Sequence, residues 1–137
     1  MNNYVQQILF HYILSRPDLC SKIKYSFFDS KELQFLYQIA QPYVLKYRES
    51  PTASQIKDIL KVENKDEVIS FDVIDALYLT RNSLGEYGDD WLENTTINWA
   101  KWSNFTLSVR NLVAYVKGAN VAGFMKVARA MMAQGII

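Results

Sequence analysis

The stretch Asp89-Asp90-Trp91-Leu92-Glu93 opens a run that continues without proline or glycine as far as Lys117 and turns at Gly118-Ala119-Asn120. The chain then continues to Gln134, which predicts two antiparallel helices, the first unusually long. Asp90 and Glu93 stand at capping-box spacing, and acids in a first turn suit the positive end of a helix dipole. A helix of roughly 27 residues is about 40 Å long, more than a small domain needs for its own core.

Trp91, Trp99, Trp102, Phe105, Val109, Leu112, Val113 and Val116 recur at three- and four-residue steps, the helical period. Val121, Phe124, Met125, Ala128, Met131 and Met132 do the same in the second helix. Two helices packed only on each other hide about one stripe apiece. Trp99, Ala100, Trp102, Leu107 and Tyr115 are spread around the first helix, so something further must cover part of it: the rest of the chain, or another copy.

At 137 residues the chain holds one domain, or a compact domain with an appended hairpin. Half its residues are hydrophobic and 14% aromatic, enough for a real core and against disorder. A net charge of +1 argues against a dedicated duplex-binding protein. Residues 94–137 carry five basic side chains and no acid, whereas residues 1–93 carry 10 basic and 14 acidic ones. The hairpin is mildly basic and the front mildly acidic.

Cys20 is the sole cysteine, which excludes an internal disulfide and fits a reducing compartment; it reads as a small core residue. The N-terminus lacks the basic region of a signal peptide, and no apolar run approaches the roughly 18 residues of a membrane span. A cytoplasmic chain with no membrane partner is the expectation.

In order, a first helix is predicted over Asn3–Ser15 with Val5, Ile8, Leu9, Tyr12 and Ile13 inward. Arg16-Pro17 breaks it, and Pro17 suits the first turn of a short helix through Ile23. Asp29-Ser30-Lys31-Glu32 has capping-box spacing ahead of a helix carrying Leu33, Leu36, Tyr37, Ala40, Val44 and Tyr47, kinked at Pro42. Thr52-Ala53-Ser54-Gln55 is a further capping box, with Ile56, Ile59 and Leu60 inward. Residues 61–65 read as the least ordered part. Another helix is predicted within Asp66–Leu84, with Val73, Ile74, Leu77 and Tyr78 inside. Gly85-Glu86-Tyr87-Gly88 then reads as a loop dividing a globular subdomain (1–88) from a helical hairpin (89–137). No stretch reads as a strand. The expected class is all-α, a compact helical bundle followed by a long antiparallel helical hairpin.

Catalysis finds little footing. His11 is the only histidine, so neither a metal site nor a Ser-His-Asp arrangement can be assembled around it. Asp89-Asp90, Asp66-Glu67 and Asp72-Asp75 all fall at or near predicted helix starts, where caps and solvated faces explain them. No catalytic, cofactor-binding or metal-binding residue is expected in this chain.

The order of these signals resembles the N-terminal domain of replicative hexameric helicases of the DnaB type, in the version carried by T-even-like phages. The resemblance spans roughly residues 4–134. It rests on Gln6-Gln7-Ile8-Leu9 followed by Ser15-Arg16-Pro17-Asp18-Leu19, on the Phe27-Phe28-Asp29-Ser30 corner, on a long helix ending before Ser50-Pro51-Thr52, and on Asp90-Trp91-Leu92-Glu93. It implies a collar domain that assembles the ring between subunits and docks primase at the replication fork. Implied partners are further copies (dimer, trimer or hexamer), primase and a helicase loader, with weak or no nucleic-acid binding. The location would be bacterial cytoplasm, or host cytoplasm for a phage protein. The hairpin positions that inherit the self-association role are Trp102, Phe105, Val109, Leu112, Val116, Phe124, Met125 and Met132.

The chain departs from that family in having no Gly-Lys pair, and hence no phosphate-cradling loop. ATP, magnesium and 5'-3' helicase activity would belong to a motor domain outside it, and Gly135-Ile136-Ile137 reads as a cut through a longer protein. Two alternatives are a stand-alone all-α adaptor and a single-stranded nucleic-acid binder using Trp99, Lys101, Trp102, Phe105 and Arg110. On the favoured division of labour, the acidic surface of the globule faces partners while the hairpin holds copies together.

Overall fold

A computed structural model describes residues 3–115, 129–133 and 135. Among them the fold is all-α, without a strand: α1 (Asn3–Leu14), α2 (Pro17–Cys20), α3 (Lys31–Tyr47), α4 (Ala53–Val62), α5 (Phe71–Thr80) and α6 (Asp89–Tyr115). Short 3-10 turns cover Tyr25–Phe27 and Arg81–Glu86, and residues 129–133 are helical. The backbone divides into two compact units, Met1–Thr96 and Ile97–Ile137.

The first unit is built around α1. From Gln6 to Leu14 every residue but Gln7 is buried, so α1 is surrounded and not merely amphipathic. It packs on α2, α3, α5 and the 3-10 turn at Arg81–Glu86. A helix enclosed on all sides must find internal partners for its polar side chains, and α1 does so for Gln6, Gln7 and one nitrogen of His11. Gln6 forms a two-point amide clasp, its Nε2 donating to Asp29 Oδ2 at 2.7 Å and its Oε1 accepting from the Asp29 backbone N–H at 3.0 Å. Gln7 Oε1 accepts from Thr80 Oγ1 at 2.7 Å, and one turn on His11 Nε2 donates to the Leu77 carbonyl at 2.8 Å. These two bonds, advancing along α1 and retreating along α5, set the helices antiparallel.

α3 closes the other side with Leu33, Leu36, Tyr37, Ile39, Ala40 and Val44. Phe10, Phe28 and Tyr37 form an aromatic cluster with ring centroids 5.3–6.3 Å apart, in tilted and edge-on geometries favoured by ring quadrupoles. Tyr37 Oη donates to the Cys20 carbonyl at 2.8 Å with the Ile23 carbonyl at 3.0 Å, and Gln41 Nε2 reaches the same two oxygens. That network ties the end of α2 to α3, and burial pushes the Tyr37 hydroxyl pKa upward. Cys20 is buried within it, its thiol also pushed up by burial.

Several boundaries differ from those expected. Ser30, not Asp29, caps α3, accepting from the Leu33 N–H at 3.3 Å, because Asp29 is committed to Gln6. α3 continues through Pro42, as expected, whereas Tyr47, expected inward, is exposed. Residues 61–65 are ordered by a helix ending: α4 extends to Val62, Asn64 takes the left-handed conformation (φ 57°), and the Lys65 N–H returns to the Leu60 carbonyl at 2.8 Å. The helix expected within Asp66–Leu84 is α5, capped by Ser70 at one end and tightening into the 3-10 turn at the other. Gly85 lies inside that turn. α6 begins at Asp89, with the Leu92 N–H on the Gly88 carbonyl, so Asp90 lies within the first turn and not at the cap. The turn expected at Gly118-Ala119-Asn120 lies outside the described residues.

The capping box of α4 is complete: Thr52 Oγ1 accepts from the Gln55 N–H at 3.2 Å and Gln55 Oε1 from the Thr52 N–H at 2.8 Å. Thr52→Ala removes the first of these bonds and is expected to cost about 1 kcal/mol. The urea midpoint of the variant, at unchanged slope, measures this directly.

Candidate functional site: the exposed apolar seam of α6

Within the second unit, α6 carries Trp102, Phe105, Val109 and Leu112 at spacings of three, four and three. That is the step of a heptad seam, which aligns side chains in one row along a helix. Among the described residues the row is only partly covered. Trp102 is 58% exposed and Leu112 37%, with Phe105 and Val109 half-buried between them. Ile97 and Val113 add exposed aliphatic surface on the same helix. Trp102 and Phe105 meet edge to face, centroids 5.9 Å apart at 87°, which sets the indole at one end of the row.

Of the expected interface residues, these four therefore share a face. Met132 is half-buried in the helical residues 129–133, while Val116, Phe124 and Met125 lie outside the described residues. Trp99 separates from the group: it is 6% exposed and belongs to the covered side of α6. Among aromatic residues at helical spacing, periodicity alone could not tell Trp99 from Trp102. Trp91 is exposed and stacks on Tyr87 at 5.1 Å, near the start of α6 in the first unit.

The seam's chemistry is simple. The only charges between residues 94 and 115 are Lys101 and Arg110, both positive and both exposed. No side chain of the seam can act as acid, base or nucleophile. Among the described residues no three His, Cys, Asp or Glu side chains gather as metal ligands, and no helix is long and apolar enough to cross a membrane.

His11 is the one strongly perturbed base, and its surroundings suit a structural part. Because Nε2 donates to the Leu77 carbonyl, the neutral ring carries its proton there, leaving Nδ1 buried and unpartnered. Phe10 and Tyr78 stand edge-on at 5.4 and 5.2 Å. Burial lowers the pKa from 6.5 to about 4, opposed by the Leu77 hydrogen bond and assisted by the Arg81 charge. The unfolded chain therefore takes up this proton at higher pH than the folded one. The stabilisation is fully present above about pH 6.5 and is lost as pH falls toward about 4, roughly 3 kcal/mol in all. Urea unfolding across that window should show the slope, and His11→Gln should flatten it.

No protein-family model matches the chain, and no solved structure matches it. Short curated matches are present. A glutamate dehydrogenase of Bacteroides thetaiotaomicron is 88% identical over 25 residues, 18% of this chain and 6% of that protein. An NAD(P)-specific glutamate dehydrogenase of Xylanibacter ruminicola is 88% identical over 24 residues, 18% of this chain and 5% of that one. An NAD-specific glutamate dehydrogenase of Porphyromonas gingivalis is 73% identical over 26 residues, 19% and 6% respectively. The chain thus spans about one-twentieth of the relatives it matches. None of these is a helicase, and the resemblance to a DnaB-type N-terminal domain is corrected accordingly. The features that carried it were helix caps, a proline break and an aromatic corner. Such features recur in many unrelated helical bundles because they solve local backbone problems.

Proposed function

We propose that this chain is a non-catalytic, all-α interaction module whose copies associate through the seam Trp102, Phe105, Val109 and Leu112. The observation that carries the reading is the exposure of an aromatic and aliphatic row at heptad spacing on one long helix. A row of this kind is costly to leave in water and is shaped to receive the same row from another helix. The absence of acids along residues 94–115 supports an apolar rather than an ion-paired contact.

Single-stranded nucleic-acid binding has less support. The stacking platform it requires would include Trp99, which is buried. Dehydrogenase activity is not carried over from the short matches. About 25 shared residues are fewer than the roughly 30 of a single βαβ unit.

The experiment is sedimentation of the wild-type chain as salt is raised. Pairing like seams brings Lys101 and Arg110 of each copy near the same charges of the other, and salt screens their repulsion. Association that strengthens with salt supports the seam. Association that weakens steeply with salt points to ion-paired or nucleic-acid-bridged contacts and overturns it.

A further inference from the structure

The four residues of the α6 row differ in size along its length. Trp102 and Phe105, edge to face at 5.9 Å, make the N-terminal half broad and aromatic. Val109 and Leu112 make the C-terminal half slim and aliphatic. Trp102 stands out furthest, 58% exposed against 37% for Leu112. The row is thus wide at one end and narrow at the other, over about 15 Å of helix.

Two packed helices keep nearly one separation along so short a stretch, 8–10 Å according to the side chains between them. Facing large residues with small ones keeps successive layers equal in bulk. A copy laid alongside in the same direction and register does the opposite. Trp102 meets Trp102 and Phe105 meets Phe105, while the Val109 and Leu112 layers stay slack. No single separation closes both ends, and the slack end forfeits dispersion contacts.

A copy turned end for end behaves differently. The spacings three, four and three read the same in both directions, so reversal keeps every layer in step. Trp102 then faces Leu112 and Phe105 faces Val109, and two-fold symmetry repeats both layers. Each layer holds one aromatic and one aliphatic side chain. An unrelated helix must supply small residues opposite the rings and large ones opposite the aliphatics; the reversed row already does so. We propose that two copies pair antiparallel through this row, with Trp102 against Leu112 and Phe105 against Val109. The inference rests on the association proposed above and adds its copy number, its direction and its layer partners.

The test places one spin label on the whole chain at Lys101→Cys or at Asn111→Cys, both exposed and each directly preceding a residue of the Trp102–Leu112 layer. Cys20 is buried, and the wild-type chain controls for stray labelling. In the antiparallel pair, label 101 and label 111 of the other copy lie about 3 Å apart along the axis. Two labels at 101 lie about 18 Å apart along it, and two at 111 about 12 Å. An equal mixture of the two labelled chains should therefore show stronger dipolar broadening than either chain alone, and Leu112→Asp in both should remove it. A second measurement uses unlabelled chains. Trp102→Ala and Leu112→Ala should each weaken association about tenfold or more, and together by clearly less than the product, because they share a layer. Within one chain the two residues are about 15 Å apart, too far to couple directly. Broadening that is stronger in either single sample, broadening that survives Leu112→Asp, or losses that multiply overturns the antiparallel pair while leaving association itself standing. A wild-type chain that never exceeds single-chain mass overturns both.

Discussion

Phe10→Ala is expected to destabilise the first unit by about 3–5 kcal/mol, a large part of the stability of an ordinary domain. Phe10 is almost wholly enclosed on the central helix, with the rings of His11, Phe28 and Tyr37 around it. Truncation removes its transfer free energy and leaves a void that two anchored neighbours cannot readily fill. Tyr37 is held by the Cys20 and Ile23 carbonyls, and His11 by Leu77. Denaturant midpoints measure the loss. Tyr25→Ala, at an exposed ring, should stay within about 0.5 kcal/mol of wild type. A loss below about 1 kcal/mol at Phe10 would contradict the central place given to α1.

The second large effect concerns assembly. Leu112→Asp puts a carboxylate into the seam, and an uncompensated charge in an apolar contact costs several kcal/mol by order of magnitude. The expected result is loss of association by a factor of 100 or more (about 3 kcal/mol) with helical content intact, because Leu112 is already partly exposed in the single chain. Phe105→Asp should act likewise. A variant that stays assembled contradicts the seam, and one that loses its helical signal contradicts the claim that the seam is not core.

Local chemistry was the part of this fold most legible in the sequence. The Thr52–Gln55 box, the break at Arg16-Pro17 and the acids at the start of α6 act through neighbours a few residues away, and each stands where the residue types place it. Tertiary competition was less visible. Asp29 had the spacing of a cap and was drawn off by Gln6, 23 residues earlier. α1 was read as amphipathic from five positions, yet Phe10, His11 and Leu14 are buried as well. A helix enclosed on every side has no polar stripe, so periodicity understates it. The same blindness affects the seam: Trp99 and Trp102 are equally apolar and three residues apart, and only packing separates the covered ring from the open one.

The longer-range inference failed for a related reason. Cap, break and aromatic corner, taken in order, describe how a chain enters and leaves helices, and they are silent about what the surface touches. Among the described residues the exposed apolar face that stands out is the aliphatic and aromatic row of α6.

The most direct measurement is the solution mass of the unmodified chain by light scattering over a wide concentration range. The account predicts a mass that rises with concentration from one chain to a defined multimer, and a Leu112→Asp chain that stays at one. A wild-type chain of single-chain mass at every concentration would contradict it.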